Sequence, residues 1–447
     1  MRRTLLVSVL LIAGAMVVFA GGQREAATDR AADGVTTLRV WKFGGPQHER
    51  DYMLEKIAEF EATNDDIVVE WVYQNYDERR TRVITASTAG NLPHVILSDG
   101  QSIPEYVELG IVQPFEELAP DRVNVWRERF VPEGWNTGVY NGRTYGVSTY
   151  VDAASMIAYN TEMFVEAGIV DDEGNARPPR DWAEVLSIAR DFRSRGMAGI
   201  VLPGSSASND LLIFQGIAYR NGGRWLDDSG NVVVDGPGFV DTLQFYRELT
   251  EYAQSGYSDT NFRQAMELFF QGRAPMAMTM SYAPILRQSL GAPADFPYSI
   301  APFPKNRTDT GRFSSASFIM TPTVAHVVPA TLPESHRDAV VRYVDFWMTE
   351  EAQAGWSGSV IEGRVPIMIS NLESDDFARV YPDLASSYQS GTLFDGALPM
   401  PGFAGLAEAE QIMIEAFQSV LLGLESPRDA MRRARPEIQA VLDRSQR

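Results

Sequence analysis

The chain contains no cysteine among its 447 residues. Without thiols it forms no disulfide, holds no thiolate-bound metal and uses no cysteine nucleophile. Lipid attachment near the N-terminus of a bacterial lipoprotein also requires a cysteine and is excluded. The fold must therefore be held by its core, and 45% hydrophobic residues over this length suffice for a large core and for two domains.

Basic residues and histidines are few. The 39 Lys and Arg residues stand against 59 Asp and Glu, for a net charge of -20, and no Lys/Arg block is present. Nucleic acid is therefore excluded as a partner. None of the four histidines has close metal-ligand spacing or stands beside a Gly-x-Ser-x-Gly motif. We predict no metal and no cofactor, and we interpret residues 227–231 as a polar turn rather than a calcium loop.

The N-terminus has the pattern of an export signal. Arg2 and Arg3 precede an apolar run at 5–19 that ends in small residues before Gly21. This pattern predicts a signal peptide over 1–20, cleaved after Ala20, and a periplasmic protein. An uncleaved membrane anchor is the alternative. The polar residues 21–35 are predicted to form a flexible leader.

The beginning of the folded part alternates between strand and helix patterns. Alternating or continuous apolar runs predict strands, and longer mixed-period runs predict helices. The order is strand 37–43, helix 48–64, strand 67–72, helix 76–90 and strand 94–99. This order predicts a parallel sheet in an α/β fold. Ligands of such sheets bind beyond the carboxyl ends of the strands, here 41–45 and 99–102.

A second α/β pattern follows a polar, extended stretch at 142–152. We interpret that stretch as a crossing between two lobes, the second of which begins near residue 153. Asp181 and Glu184 have the spacing of a capping box at a helix start. A helix over 237–254 and a buried strand over 274–282 are also predicted.

A set of short motifs carries a family resemblance over nearly the whole mature chain. In order they are VW (40–41), AGNLPHVI (89–96), GIVQPF (110–115), GRTYGV (142–147), AYNTEMF (158–164), WAE (182–184), FQGRAPM (270–276), IAPFP (300–304), YVDFWMTEEAQ (343–353) and PRDAMRRAR (427–435). The chain resembles the extracellular solute-binding proteins (family 1) of ABC sugar importers, in the branch of the maltose- and trehalose-binding proteins. It departs from the family at His94, where Asp is usual, and at Phe115, where Leu is commoner.

The resemblance implies an α/β, two-lobe periplasmic-binding-protein fold of type II, each lobe a mixed sheet flanked by helices. Residues 36–149 and 303–346 would form the first lobe, and residues 150–302 and 347–447 the second. A carbohydrate, a di- or short oligosaccharide, would bind in the cleft between the lobes. The monomeric protein would then deliver it to an ABC transporter permease, without catalysis.

Four candidate ligand-binding residues lie where the topology puts the cleft. Sugars present hydroxyl rims and apolar C–H faces, so carboxylates and aromatic rings suit them. Asp99 follows the third strand, where relatives hold sugar hydroxyls with an acidic residue; a capping role is the alternative. Tyr150 and Asp152 match a Tyr-x-Asp pair at the crossing in relatives, or else are hinge residues bonded to backbone. Tyr282 stands where the family usually places a stacking Trp, with core packing as the alternative.

Three further candidate ligand-binding residues are indicated by fewer features of the sequence. Trp41 ends the first strand and either lines the cleft or packs in the core. Trp225 follows two glycines in a turn-rich stretch. Arg364 lies in a segment that reaches the sugar in some relatives, and its alternative is a solvated loop. In the maltodextrin branch a Trp stacks on sugar near the position of Glu410, so its absence favours a shorter or different glycan.

Other functions remain open at this point. Within the binding class, the ligand could be a polyol or a glycerol phosphate, although a phosphate calls for converging Arg and Lys residues. A secreted glycan-active enzyme would need two carboxylates about 5–9.5 Å apart, and no motif singles out such a pair. The same fold could also signal to a chemoreceptor.

Overall fold

The computed structural model describes residues 34–306, 319–321, 325–357, 363–391, 393–394, 397–399, 402–403 and 405–445. The predicted signal peptide lies outside the described residues, as does the predicted leader apart from its last two residues. Among the described residues we find no helix with the length and apolarity that a membrane crossing requires.

Strands and helices alternate along the chain. The described strands are β1 (Thr36–Phe43), β2 (Ile67–Gln74), β3 (Val95–Ser98), β4 (Val112–Gln113), β5 (Val139–Tyr140), β6 (Arg143–Thr144), β7 (Gly146–Ser148), β8 (Tyr150–Ala153), β9 (Met156–Asn160), β10 (Met276–Thr279), β11 (Tyr298–Pro302), β12 (Ile319–Thr321), β13 (Ala325–Pro329), β14 (Val365–Pro366) and β15 (Leu398–Pro399). The described α-helices are α1 (Gln47–Thr63), α2 (Arg79–Thr88), α3 (Ile103–Glu108), α4 (Phe115–Leu118), α5 (Pro120–Arg127), α6 (Pro132–Asn136), α7 (Thr161–Glu166), α8 (Trp182–Ser194), α9 (Ser208–Arg220), α10 (Pro237–Leu249), α11 (Phe262–Phe270), α12 (Ala283–Ser289), α13 (Arg337–Trp347), α14 (Glu350–Gln353), α15 (Ile369–Leu372), α16 (Asp375–Val380), α17 (Pro382–Gln389), α18 (Leu406–Leu421) and α19 (Pro427–Ser445).

The first sheet has six strands, in the order β2-β1-β3-β13-β4, and β7 also pairs with β13. Strand β1 runs parallel to both β2 and β3, which confirms the predicted start of the fold. Strand β13 runs antiparallel to β3 and makes the sheet mixed. The carboxyl ends of β1 and β3 therefore lie side by side at one edge of the sheet.

Two smaller sheets follow the first one. In one of them β9 lies between β10 and β11, antiparallel to both. The predicted buried strand over 274–282 is confirmed as the shorter, fully buried β10. In the other, β8 pairs with β14 and with β12, in the order β14-β8-β12-β15. The stretch predicted as a crossing thus ends in β8, which belongs to a separate four-stranded sheet.

The predicted cap at the start of α8 is present, but only half of its capping box forms. Asp181 accepts a hydrogen bond from the backbone N–H of Glu184 at 2.8 Å. The Glu184 carboxylate accepts from the backbone N–H of Arg180 at 2.6 Å, instead of returning to Asp181. It also pairs with the guanidinium of Arg177 at 2.8 Å. The nearby arginines compete for the carboxylate that the motif assigns to the cap.

The buried apolar residues form two large cores. The first-lobe core joins β1 and β3 to α5, α13 and the helices between residues 365 and 397. The second-lobe core joins β9 and β10 to α8–α11 and to α18 and α19. Tyr282 and Ile300 pack against both cores. The contact between the two cores therefore lies next to the sheet that contains β8.

The packing gives a reason to move one predicted lobe boundary. The prediction assigns all of 347–447 to the second lobe. Trp356, Ile367, Phe377 and Phe394 pack in the first-lobe core, whereas α18 and α19 pack in the second. We propose that residues 347–397 belong to the first lobe and that the second lobe regains the chain near residue 402.

His326 in β13 should make the fold sensitive to acid. Its side chain is fully buried, with Nδ1 3.3 Å from the carbonyl oxygen of Val147 and its ring beside Trp347. Burial lowers its pKa from 6.5 to about 4. The folded state therefore favours the neutral ring: this stabilisation is complete above pH 6.5 and is lost as the pH falls towards 4.

We therefore expect His326→Gln to flatten the decline in the free energy of unfolding between these pH values. The histidine should account for roughly 3 kcal/mol of that decline. Urea unfolding at several pH values measures the slope. Leu54→Gln, at an exposed position of α1 without a titratable group, is the control and should leave the slope unchanged. An unchanged slope in His326→Gln would contradict the assignment.

Candidate functional site

Four buried charged residues come together where β1 ends and β8 begins. We call Lys42, Glu49, Asp152 and Arg364 the charged cluster; their exposed fractions are 2%, 0%, 3% and 5%. Lys42 lies in β1, Glu49 in the first turn of α1, Asp152 in β8 and Arg364 directly before β14. The two acids and two bases balance each other, as buried charges must.

Arg364 holds the charged cluster together. Its Nη1 lies 2.8 and 2.7 Å from the two carboxylate oxygens of Asp152, and its Nη2 lies 2.7 Å from Oε2 of Glu49. Lys42 Nζ is 3.2 Å from Oε1 of Glu49. One guanidinium therefore links a helix of the first lobe to the crossing strand, with the charge-assisted bonds that its planar shape allows.

The glycines after β1 let Lys42 and Glu49 meet. Gly45 has φ +110°, and a Cβ placed on it would lie 2.7 Å from Oε1 of Glu49. Lys42 Nζ also donates to the carbonyl oxygens of Phe43 at 3.0 Å and Gly44 at 2.9 Å. A side chain at Gly45 would occupy the space in which the ion pair forms.

The cluster keeps Glu49 ionised. Burial alone would raise the pKa of Glu49, but the charges of Lys42 and Arg364 outweigh burial and lower this pKa to about 2. Burial opposes the charge of Arg364 in the same way, yet Asp152 and Glu49 raise its pKa well above the ordinary value. Glu49 and Arg364 are therefore charged at neutral pH, whereas burial lowers the pKa of Lys42 against the opposing charge of Glu49.

Two tyrosines lie next to the Arg364 guanidinium. Its Cζ is 4.6 Å from the ring centroid of Tyr150 and 4.9 Å from that of Tyr282. Tyr150 is fully buried and packs on Trp356, with ring centroids 4.6 Å apart. Tyr282 keeps part of its surface exposed. Tyr150 thus supports the arginine from the core side, whereas Tyr282 offers part of a ring to the cleft.

Asp99 belongs to a second group, with Tyr76, Arg79 and Ser102. Asp99 accepts from the backbone N–H and from the hydroxyl of Ser102, both at 2.8 Å, so the capping alternative is correct for one oxygen. The other oxygen pairs with the guanidinium of Arg79, which lies 4.0 Å from the ring centroid of Tyr76. Tyr76 Oη is 3.5 Å from Asp99. We call these four residues the Asp99 group.

Glu410 in α18 approaches the Asp99 group from the second lobe. Burial and the charge of Asp99 raise its pKa to about 7, although Arg79 opposes the shift. The lobes are in contact nearby, because a Cβ placed on Gly402 would lie 2.8 Å from Cγ of Pro104 in α3. Sequence reasoning identified Glu410 only as the position of a missing tryptophan, and the structure shows that the charges of Asp99 and Arg79 act on it.

The predicted site residues fall into three places. The structure brings together Tyr150, Asp152, Tyr282 and Arg364. Asp99 lies in the Asp99 group, and burial, Asp99, Glu410 and Asp152 raise the pKa of Tyr76 in that group, while Arg79 opposes the shift.

The two predicted tryptophans lie apart from these groups. Trp41 is partly exposed and packs on the other face of β1, 6.2 Å from the ring of Phe43. Trp225 is fully buried in the second-lobe core, beside Phe239 and Phe403. A ligand contact of either tryptophan stays a prediction.

Sequence reasoning missed Lys42, Glu49, Tyr76 and Arg79. One signal pointed to Lys42: it takes the next alternating position after Leu38 and Val40, which face the core. A charged residue at an inward position of a strand requires a buried partner. The other three had no signal of this kind, because their charged partners lie on other elements: Lys42 and Arg364 pair with Glu49, and Asp99 pairs with Arg79.

Comparison with known proteins identifies the family. The sequence profile of the bacterial extracellular solute-binding proteins matches residues 45–354. The chain belongs to this family. A binding protein of Brucella abortus (strain 2308) is 23% identical over 400 residues, covering 88% of this chain and 90% of the relative.

Solved structures of this kind share the fold. Maltose-bound MalE3 of T. maritima superposes with a TM-score of 0.76 at 21% identity, covering 91% of this chain and 100% of that one. An ABC transporter solute-binding protein of Agrobacterium radiobacter K84, in complex with ribitol, reaches 0.74 at 18% identity, covering 92% and 100%. The predicted family and the predicted two-lobe α/β fold are both confirmed. Among the described residues, no three or more His, Asp or Glu side chains form a group that could hold a metal ion.

Proposed function

We propose that this solute-binding protein is exported to the periplasm, holds a carbohydrate between its lobes as a monomer and delivers it to an ABC transporter permease. The observation that carries the proposal is the Arg364–Asp152 pair beside the partly exposed ring of Tyr282. An ionised carboxylate fixed by a guanidinium offers its remaining lone pairs to sugar hydroxyls, and a tyrosine ring offers a face for the sugar C–H groups.

Binding would act by changing the balance between open and closed arrangements of the lobes. A ligand shifts such a balance only if it contacts the closed form better than the open one. The charged cluster and the Asp99 group belong to the first lobe and the crossing. Tyr282, directly before α12, and Glu410, in α18, belong to second-lobe segments. A sugar that touches both sets would favour closure, and the permease would recognise the closed form.

A polyol is the second candidate. It has support because the Agrobacterium radiobacter relative was solved with ribitol. A glycerol phosphate has less support as a ligand, because each base of the charged cluster is already paired with an acid. A glycan-active enzyme would need an acid with a raised pKa beside a second carboxylate. The charged cluster does not offer one at Glu49, whose pKa is lowered, but the pKa of Glu410 is raised by burial and by Asp99, so recovery of the sugar unchanged is the test that separates binding from catalysis.

A thermal-shift screen of the mature protein tests the proposal. Mono-, di- and oligosaccharides, polyols and glycerol phosphates are added one at a time. A ligand at 100 times its dissociation constant stabilises the protein by about 2.7 kcal/mol. We expect a carbohydrate to raise the midpoint and to be recovered unchanged afterwards, because the site binds without reacting.

Asp152→Asn should remove most of this ligand-induced shift, since it leaves the hydroxyls without a charged acceptor. Asp228→Asn, in an exposed turn of the second lobe, is the matched control and should keep it. If no sugar or polyol moves the midpoint of the folded protein, the carbohydrate proposal fails. If the sugar is consumed, the protein is an enzyme.

A further inference from the structure

Tyr73 is the most exposed aromatic residue in the part of the chain that the structure describes. Its exposed fraction is 37%. It is the last residue but one of β2, and β2 is the terminal strand at one end of the first sheet. A single exposed apolar residue needs no functional explanation by itself. Tyr73 differs because three contacts fix its ring beside the charged cluster.

The first contact joins Tyr73 to the turn after β1. Tyr73 lies opposite Lys42 in the parallel pairing of β1 and β2, so both side chains point to the same face of the sheet. Its Oη donates to the carbonyl oxygen of Gly45 at 3.1 Å. A Cβ placed on Gly45 would lie 2.7 Å from Oε1 of Glu49 and 3.5 Å from Nζ of Lys42. The ring is thus one residue removed from the charged cluster, at the edge where β1 and β2 end and where ligands of such sheets bind.

The other two contacts hold the ring itself. The guanidinium of Arg50, in α1, stacks on it, with Cζ 4.2 Å from the ring centroid. Trp71 lies two residues earlier on the same face of β2, with ring centroids 6.2 Å apart and planes tilted by 39°. A ring that is already fixed in this way loses little freedom when a ligand binds. Its open part offers the apolar surface that the C–H face of a sugar contacts.

We propose that Tyr73 is an outer aromatic subsite for an oligosaccharide: one sugar unit lies at the charged cluster, and the next unit contacts the exposed part of the Tyr73 ring. This inference rests on the proposed function and adds to it the residue that distinguishes ligands by length. In the strand order β2-β1-β3, Tyr73 and Asp99 lie on opposite sides of the strand that carries Lys42. A monosaccharide at the cluster leaves the ring uncovered, whereas a chain that extends towards β2 covers it.

Titration calorimetry of the mature protein with sugars of increasing length tests the inference. The probes are the oligosaccharides of glucose, xylose and arabinose with one to four units. Tyr73→Ala should lower the affinity for sugars of two or more units about ten-fold, and the affinity for the monosaccharide much less. Tyr73→Phe keeps the ring and should keep the preference for longer sugars. Leu109→Ala truncates another exposed side chain of the first lobe, 54% exposed, and should change the affinity for none of them.

The dependence on length separates a ligand contact from a structural role. If Tyr73→Ala weakens every sugar by the same factor, or weakens none, the ring does not contact a second unit and the inference is overturned. It is also overturned if the wild-type protein binds only a monosaccharide or a polyol. In each of these cases the proposed function survives, because a solute of the proposed kind still binds. The absence of binding by every sugar and polyol would end both.

Discussion

Replacing Arg364 with methionine is expected to lower the free energy of unfolding by about 3–5 kcal/mol, the cost of breaking a buried ion pair from one side. The guanidinium binds both carboxylate oxygens of Asp152 and one carboxylate oxygen of Glu49, and both acids are nearly or fully buried. Methionine fills the space between Tyr150 and Tyr282 but returns no charge. Urea unfolding followed by circular dichroism measures the loss.

Two comparisons separate the lost charge from lost packing. In Arg364→Met the deficit should shrink as the pH falls, because Asp152 can then be protonated without its partner. Adding Asp152→Leu to Arg364→Met should recover part of the stability, because the unpaired acid is gone. Arg342→Met is the control: its pair with Asp66 is substantially exposed and screened by solvent, so its loss should change the stability little. A deficit as small as that of the control would contradict the role of the cluster.

Replacing Trp225 with alanine is expected to cost about 3–5 kcal/mol of stability, because it leaves a large cavity in the second-lobe core. The ring is enclosed by neighbours, with centroids 6.4 Å from Phe239 and 6.0 Å from Phe403. We expect the ligand-induced shift in midpoint to persist in the variant, since its main effect is on the core. Urea unfolding and the thermal-shift assay together measure both quantities.

The predicted ligand contact of Trp225 has the opposite consequence. If the indole touched the sugar, the affinity would fall by more than the loss of stability explains. Leu424→Ala supplies the control, since this second-lobe side chain is 74% exposed and its truncation should change neither quantity. A loss of affinity with little loss of stability would show that Trp225 contacts the ligand.

The charged cluster can act on ligand binding and on the stability of the fold. A cleft that binds hydroxyls gains from acceptors and donors fixed before the ligand arrives, because less ordering remains to be done on binding. Buried pairs of this kind add little net stability, since desolvation offsets much of their attraction. We therefore propose that the cluster serves to position groups for a ligand more than to stabilise the fold.

The first sheet shows which part of the fold could be predicted from the sequence. The alternating residues of β1 and the strand–helix order over 37–99 were enough to predict parallel pairing, because each pattern is local and each crossover is short. Only half of the capping box predicted at Asp181 forms. Its second half depended on Arg177 and Arg180, whose side chains compete for Glu184, and no spacing rule includes that competition.

The cleft shows where such reasoning ends. Asp152 and Arg364 were both singled out through the family resemblance, yet nothing indicated that they pair across 212 residues of chain. Lys42 and Glu49 are seven positions apart and meet only because Gly44 and Gly45 turn the chain between them. Glu410 was visible as a departure from relatives, and its approach to Asp99 was not.

The sequence by itself determined the α/β class, the absence of thiol chemistry, the starting strands and the residues that relate the chain to solute-binding proteins. These follow from composition, from periodicity and from short motifs, all of which are local properties. Only the tertiary structure decided which charges pair and that Trp225 lies in a core. Burial and electrostatic pairing depend on distances between residues far apart in the chain, and those distances exist only once the lobes have folded and met.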